Sequence, residues 1–292
     1  MTVAFIGLGN MGGGMAANLA ARGYAVRAFD LSAEALARAV EAGCTAAASA
    51  VDAVTGATVV VTMLPAGTHV AGVYRDTVFA HAAPGALLID CSTIDVGTAK
   101  LLADEAAAAG MVAVDAPVSG GIAAAAAGTL TFMVGADADG FARAQPVLEA
   151  MGRAVIHAGG HGAGQTAKIC NNMLLGASMV ATAEAFVLAE RLGLDPQRFY
   201  DIASVSSGQC WSMTSYCPLP GVGPESPADR GYQNGFSIAL MLKDLRLAAE
   251  AAADTGADTP MGAKALERYA ALAGAGQGGL DFSAIILALK SA

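Results

Sequence analysis

Charged and aromatic residues are scarce in this chain of 292 residues. Charged side chains make up 14% of the sequence and aromatic ones 5%, whereas hydrophobic residues reach 55%. The apolar excess is mostly alanine, which lets helices pack closely. The longest apolar stretch, residues 173–189, contains Glu184 and is too short to predict a membrane span. The composition therefore predicts a globular protein with a large core.

Basic residues are also few, with 16 Lys and Arg against 25 Asp and Glu and a formal net charge of −9. No cluster of basic residues stands out, so we expect neither nucleic acid nor a membrane surface as a partner. The N-terminus runs into an apolar strand without a basic segment before it, and we expect no secretory signal.

Cysteine pairs of the Cys-x-x-Cys type are missing. An odd number of cysteines without such a pair predicts reduced thiols in a cytoplasmic protein. The five are Cys44, Cys91, Cys170, Cys210 and Cys217. His157 and His161 flank a glycine pair, with no nearby Cys or carboxylate to complete a site. We therefore expect no bound metal.

Short apolar runs alternate with helical stretches through the first half of the chain. Fully apolar strands in this rhythm are typical of a parallel sheet with helices on both faces. We predict a doubly wound α/β domain over residues 1–162. Its predicted strands are residues 2–6, 25–29, 59–63, 87–90, 111–115, 129–134 and 154–157.

The alternation stops near residue 166, after which only helices are predicted. An all-helical domain for substrate binding and oligomerisation is therefore expected over residues 163–292. Its helices are predicted at 166–192, 196–204, 237–255, 261–272 and 283–289. The first would be about 40 Å long and has hardly any polar stripe, so we expect it to be buried on most sides. Its far side is expected to meet a partner subunit in a homodimer or homotetramer. Residues 208–235 are expected to form an ordered loop.

A glycine motif, Gly7-x-Gly9-x-x-Gly12, follows the first strand and opens the first helix. It allows a tight turn and brings a pyrophosphate close to the helix N-terminus. Asp30 ends the second strand, where its carboxylate would accept hydrogen bonds from ribose hydroxyls and repel a 2′-phosphate. The pattern predicts a Rossmann-type domain that binds NAD. The predicted contacts are Gly7, Leu8, Gly9, Asn10, Met11, Gly12 and Asp30.

Lys168 and Asn172 stand four residues apart, where a glycine-rich turn opens the long apolar helix. Residues at this spacing are neighbours on one helix face. Burying an ammonium and a carboxamide together costs free energy unless something binds them. We expect a small polar substrate beside the nicotinamide ring. Lys168 would transfer the hydroxyl proton and Asn172 would hold the hydroxyl. A buried lysine can act as a base near neutrality because burial lowers its pKa.

Three motifs together resemble the β-hydroxyacid dehydrogenases. Residues 5–19 are similar to the cofactor signature of that family, residues 115–121 to its substrate signature and residues 164–172 to its catalytic one. The similarity runs in order from residue 2 to about residue 290. Gly14 departs from the pattern, since relatives usually carry proline there.

The C-terminal half most resembles the 3-hydroxyisobutyrate dehydrogenase branch, through residues 210–222 and 232–245. This implies NAD-dependent oxidation of 3-hydroxyisobutyrate to methylmalonate semialdehyde in valine catabolism. Related substrates stay open, namely L-serine, 3-hydroxypropionate and tartronate semialdehyde. The same fold also serves imine reductases and non-catalytic NAD-binding interaction modules, although both classes are expected to lack the lysine at position 168.

The resemblance also implies further site residues. Five would line the cofactor, namely Leu64, Pro65, His69, Thr93 and Lys243. With Lys168 and Asn172, the substrate residues would be Ser119, Gly120, Gly121, Trp211, Tyr216, Lys243 and Asp244.

Some of these residues have simpler interpretations. Residues 119–121 could be an ordinary turn after a strand. Lys243 and Asp244 could belong to a solvated helix face, and Trp211 could serve loop packing alone. Glu184 is expected to be a structural hydrogen-bonding residue.

Overall fold

The computed structural model describes residues 1–291. The chain divides into one compact unit from Met1 to Lys168 and a second from Ile169 onward. The boundary predicted between residues 162 and 163 lies where the long helix Ala163–Arg191 begins. Each unit has its own hydrophobic core.

A nine-stranded sheet forms the centre of the first unit. Its strands are β1 (Thr2–Ile6), β2 (Ala25–Phe29), β3 (Thr45–Ala46), β4 (Val59–Thr62), β5 (Leu87–Asp90), β6 (Val112–Asp115), β7 (Val118–Ser119), β8 (Leu130–Gly135) and β9 (Gly152–Gly159). They follow the order β3-β2-β1-β4-β5-β6-β8-β7, and β9 pairs with β8. The first six strands in this order, β3, β2, β1, β4, β5 and β6, are paired in parallel. The doubly wound sheet predicted from the sequence is thus confirmed.

The sheet departs from an all-parallel arrangement at β8, which runs antiparallel to both β6 and β7. The sequence of β8 is as apolar as that of the parallel strands, so its antiparallel direction could not be predicted from the apolar pattern. Strands β3 and β7 were not predicted because each has only two residues.

Helices cover both faces of this sheet. They are α1 (Gly12–Ala21), α2 (Ala33–Glu41), α3 (Ala50–Val54), α4 (Gly67–Val73), α5 (Phe79–His81), α6 (Val96–Ala108), α7 (Gly121–Ala127) and α8 (Ala138–Glu149). Successive residues of β1 face opposite sides, as strand geometry requires. Phe5 packs in one core cluster with Leu19 of α1, and Ile6 packs in the other with Val70 of α4. The Ser32 hydroxyl caps α2, because it accepts a hydrogen bond from the backbone N–H of Ala35.

Close helix packing explains why glycine occupies position 14. A Cβ atom at this position would lie 2.9 Å from the carbonyl carbon of Ala125 in α7. The Asn18 side chain joins the same two helices, because its amide donates to Gly14 O at 2.9 Å and to Ala125 O at 2.7 Å. Glycine therefore permits a close approach of α1 and α7 that proline would obstruct.

The second unit is helical among its described residues. Its helices are most of α9 (Ala163–Arg191), then α10 (Pro196–Ala203), α11 (Trp211–Thr214), α12 (Ile238–Thr255), α13 (Pro260–Leu272) and α14 (Ile285–Ser291). Short 3₁₀ turns occur at Pro227–Arg230 and Phe282–Ala284. A single antiparallel bridge joins Ser237 to Asp281.

Helix α9 is less buried than its composition predicts. Leu174 is 67% exposed and Leu188 is 60% exposed, and Glu184 lies on the exposed face with them. The expectation that α9 is buried on most sides is therefore wrong for this face. By length and composition alone α9 could also cross a membrane, but core helices of soluble proteins pass the same test.

Candidate functional site

The glycine loop after β1 is shaped by close backbone packing. Gly7 has a φ of +96°, and a Cβ atom there would lie 2.3 Å from Met63 O. A Cβ atom at Gly12 would lie 1.9 Å from Gly7 O. At Gly9, by contrast, a Cβ atom would meet nothing within 4 Å in the described part of the chain. The loop is thus tightly folded and open on its outer side, where a ligand can approach the backbone.

Asp30 is held beside this loop. One carboxylate oxygen accepts a hydrogen bond of 2.6 Å from Leu8 N, and the other accepts one of 2.7 Å from Ser32 N. A carboxylate has about four acceptor positions, so both oxygens retain capacity for ribose hydroxyls. The open loop and the fixed carboxylate together fit the adenosine and pyrophosphate parts of a dinucleotide.

A buried polar network occupies the carboxyl ends of β4 and β5. Asp90 Oδ1 accepts hydrogen bonds from the Thr62 hydroxyl at 2.8 Å and the Ser92 hydroxyl at 2.6 Å. Burial raises the pKa of Asp90 to about 6. The Ser92 hydroxyl in turn accepts a bond of 2.8 Å from Leu64 N. The network therefore fixes the segment that contains Leu64 and Pro65.

Four of the residues implied for the cofactor follow these same two strands. Leu64, Pro65 and His69 lie in or after the connection from β4 to α4, and Thr93 lies between β5 and α6. Ligands of open α/β sheets bind outside the carboxyl ends of the strands. The fold thus places these residues at the edge that such ligands use.

Asp115, at the end of β6, anchors the first turn of α9. Its carboxylate accepts a hydrogen bond of 2.7 Å from Gly162 N and one of 3.0 Å from Gln165 N. Burial raises the pKa of this carboxyl. A Cβ atom at Gly164 would lie 2.3 Å from Met133 O, so only glycine lets the helix begin this close to the sheet. Neither Asp115 nor Gln165 was singled out in the sequence as a functional residue.

Lys168 lies on the next turn of α9 and is only 8% exposed. Its ammonium donates a hydrogen bond of 2.7 Å to Val118 O, directly before the segment Ser119-Gly120-Gly121. Gly120 has a φ of +133°, and a Cβ atom there would lie 2.6 Å from Ala124 Cβ. The first unit therefore brings Lys168 next to residues 119–121.

Asn172 stands one helical turn after Lys168 and belongs to the second unit. Its side-chain amide donates a hydrogen bond of 2.5 Å to Asp244 Oδ2, and both residues are 2% exposed. The ammonium of Lys243 lies 3.7 Å from Asp244 Oδ1. The interpretation of Asp244 as part of a solvated helix face is therefore wrong.

Trp211 and Tyr216 form an aromatic stack in the second unit. Their ring centroids are 4.8 Å apart and the rings are inclined by 22°. The Tyr216 hydroxyl donates a hydrogen bond of 2.8 Å to the buried Asp281, which the sequence did not single out. Trp211 is half exposed, so the stack fixes an apolar surface that a ligand can reach.

His157, considered above as a metal ligand, contacts an aromatic ring and a backbone carbonyl. His157 stacks on Phe141, with 4.6 Å between ring centroids, and its Nε2 lies 2.9 Å from Ala136 O. Within residues 1–291, no group of three or more His, Cys, Asp or Glu side chains could hold a metal ion.

Comparison with known proteins agrees with this geometry. Residues 2–160 match the family described as the NAD binding domain of 6-phosphogluconate dehydrogenase. Residues 162–289 match the family described as NAD-binding of NADP-dependent 3-hydroxyisobutyrate dehydrogenase. A 3-hydroxyisobutyrate dehydrogenase of Pseudomonas aeruginosa is 53% identical over 97% of this chain and 96% of its own length. The chain belongs to the 3-hydroxyisobutyrate dehydrogenase family.

This protein is therefore an NAD-dependent oxidoreductase that acts on a small hydroxy acid. An NAD-dependent L-serine dehydrogenase of Pseudomonas aeruginosa is 50% identical over 97% of the chain and 96% of its own length. The structure of Mycobacterium tuberculosis 3-hydroxyisobutyrate dehydrogenase with L-serine superposes with a TM-score of 0.95, at 49% identity over 99% of each chain. Family membership alone therefore does not choose between 3-hydroxyisobutyrate and L-serine.

Proposed function

We propose that the protein oxidises 3-hydroxyisobutyrate to methylmalonate semialdehyde with NAD, and that Lys168 transfers the proton. The observation that carries this proposal is the buried Lys168 ammonium, held 2.7 Å from Val118 O directly before the substrate motif. Relatives named 3-hydroxyisobutyrate dehydrogenase support the substrate.

The cofactor would be held mainly by residues of the first unit. The glycine loop would bind the pyrophosphate and Asp30 the adenosine ribose. By resemblance, the remaining contacts come from Leu64, Pro65, His69, Thr93 and Lys243. When bound, NAD supplies the acceptor for the hydride that leaves the substrate carbon.

The substrate carboxylate would be bound by the Ser119 hydroxyl and the backbone N–H groups of Gly120 and Gly121. Asn172 would hold the hydroxyl group that is oxidised. The Lys168 nitrogen takes the hydroxyl proton during oxidation and returns it during reduction. One N–H of Lys168 can stay on Val118 O in either protonation state, which keeps the nitrogen in place.

Asp244 would orient Asn172. The hydrogen bond between them fixes the carboxamide so that its nitrogen faces Asp244. We therefore assign Asp244 a positioning role, in place of the direct substrate contact implied by the resemblance.

The methyl group of 3-hydroxyisobutyrate would pack against the aromatic stack of Trp211 and Tyr216. One methyl group in an apolar pocket contributes about 1–3 kcal/mol, which corresponds to roughly 10- to 200-fold discrimination. L-Serine is the second candidate substrate, because a relative with 50% identity is named for it.

The proposal is tested by measuring kcat/KM with NAD for 3-hydroxyisobutyrate, 3-hydroxypropionate, L-serine, D-glycerate and tartronate. We expect 3-hydroxyisobutyrate to be the best substrate, with 3-hydroxypropionate and L-serine still oxidised. Trp211→Ala should narrow the gap between the methylated and unmethylated substrates. A tenfold or greater preference for L-serine or D-glycerate would reject the proposed substrate and leave the family assignment intact.

The proposed reaction belongs to valine breakdown, and we propose that it takes place in the cytoplasm, where the free thiols of all five cysteines would persist. We also propose a homodimer or homotetramer. Exposed leucines on α9, Leu174 and Leu188, support a subunit contact.

A further inference from the structure

The Gln165 side chain holds the backbone on both sides of Thr93. Its carbonyl oxygen accepts a hydrogen bond of 3.1 Å from Ile94 N, and its amide donates one of 2.8 Å to Ser92 O. Gln165 is fully buried. A single side chain therefore fixes the two peptide groups that flank Thr93.

The same residue is fixed at its own backbone. Gln165 N donates to the Asp115 carboxylate, which also accepts a bond from Gly162 N. The side chain thus extends from an anchored helix turn, with little freedom to move the Thr93 segment. Ser92 is held from its other side by Asp90, through a hydrogen bond of 2.6 Å.

Gln165 and Lys168 are three residues apart on α9, a separation of about 4.5 Å along the helix axis. Side chains at this spacing lie on the same side of a helix. The turn that carries the proton-transfer lysine is therefore tied by Gln165 to the segment that carries Thr93.

We propose that Gln165 is a positioning residue that sets the distance between the Lys168 nitrogen and the cofactor-binding segment at Thr93. The proposal rests on the proposed function, in which Lys168 transfers the proton and Thr93 contacts NAD. Reacting groups must be held within a fraction of an ångström, and a misplacement of 1 Å can lower the rate about 10²-fold.

A carboxamide is the side chain that fits this position. It donates one hydrogen bond and accepts another at the same time, as Ser92 O and Ile94 N require. An ionised glutamate would only accept and would face Ser92 O without a donor. A protonated glutamate regains one donor and one acceptor. Methionine fills a similar volume and leaves both backbone groups without a partner.

These differences define the experiment. Gln165→Met, Gln165→Glu and the wild-type enzyme are compared for kcat and KM from pH 5.5 to 9, on whichever hydroxy acid the wild-type enzyme oxidises best. Val147→Ala serves as control, because Val147 is buried in the core of the same unit and makes none of these hydrogen bonds. All assays are run well below the unfolding temperature of each variant.

We expect Gln165→Met to lower kcat about tenfold or more at every pH, with substrate KM changed less than threefold. For Gln165→Glu, the ratio of its kcat to that of the wild-type enzyme should rise as the pH falls, because protonation restores the donor. Val147→Ala should lose stability while keeping its kcat. A Gln165→Met variant with kcat within twofold of the wild-type value would overturn the proposal.

Hydrogen exchange gives a readout that does not depend on activity. In Gln165→Met the Ile94 amide should exchange roughly tenfold faster, because it loses its hydrogen-bond acceptor. In Val147→Ala the exchange rate of the Ile94 amide should not increase in this way. An unchanged exchange rate of the Ile94 amide in Gln165→Met would overturn the proposed positioning role of Gln165. Failure of the wild-type enzyme to oxidise any hydroxy acid would reject the proposed function instead.

Discussion

The Asn172 amide and the Asp244 carboxylate are joined by a hydrogen bond of 2.5 Å, and both side chains are almost completely buried. Since a bond to an ionised acceptor is about twice as strong as a neutral one, this contact fixes the carboxamide firmly. Asn171 adds a second bond, its amide donating to Asn172 Oδ1 at 3.0 Å. Orientation of Asn172 is thus built into the second unit itself.

Replacing Asp244 by asparagine tests this orientation. Asp244→Asn keeps the volume and an acceptor oxygen but removes the charge, so the bond to Asn172 weakens. We expect kcat/KM for the hydroxy acid to fall about tenfold, which corresponds to roughly 1.4 kcal/mol. Steady-state kinetics of the wild-type enzyme and Asp244→Asn will measure this fall in kcat/KM. The control is Asp254→Asn, an exposed position on the same helix. Equal effects of the two substitutions would rule out the positioning role.

Cofactor preference tests Asp30. The double variant Asp30→Asn/Leu31→Arg keeps an acceptor for Leu8 N, removes the charge that repels a 2′-phosphate and adds a cation that binds it. Leu31 is 94% exposed, so arginine fits there without repacking. We expect the ratio of kcat/KM for NADP over NAD to rise roughly tenfold or more. Leu31→Arg alone should change it much less. If the wild-type enzyme uses both cofactors equally well, Asp30 does not select NAD.

The pH dependence of stability tests the burial of Asp90. Burial raises its pKa from the ordinary value of 3.8 to about 6. Below pH 3.8 the carboxyl is protonated in both the folded and the unfolded chain. As the pH rises through 6 the folded chain must hold a buried charge, and stability is lost. This loss amounts to roughly 3 kcal/mol.

Asp90→Asn has no charge to bury. Its free energy of unfolding, relative to that of the wild-type protein, should therefore increase by roughly 2 kcal/mol between pH 4 and pH 7. Urea unfolding of both proteins across this range measures the difference, with the exposed Asp139→Asn as control. A difference that does not vary with pH would show that Asp90 titrates normally.

Local sequence patterns predicted most of the fold. The main strands and helices follow from apolar runs and periodicity, and Lys168 and Asn172 follow from their helical spacing. Patterns of this kind depend on residues close together in the chain. Strand direction at β8 and the two-residue strands β3 and β7 leave no such local signal.

The supporting residues of the site could not be predicted for the same reason. Asp115 meets Gly162 across 47 residues of chain, Gln165 meets Ile94 across 71, and Tyr216 meets Asp281 across 65. In the sequence, each of these polar residues lies far from its partner, so no local pattern indicates the hydrogen bond. The exposed face of α9 was not predicted because alanine and leucine occur on both the buried and the exposed side of this helix.

Proton transfer by Lys168 is the central claim, and turnover of Lys168→Ala tests it most directly. We expect kcat to fall by roughly 10²-fold or more, the usual scale of general acid–base catalysis, while NAD binds with unchanged affinity. Lys264→Ala, an exposed lysine paired with Glu267, should keep normal turnover. A Lys168→Ala enzyme with turnover close to that of the wild-type protein would contradict the claim.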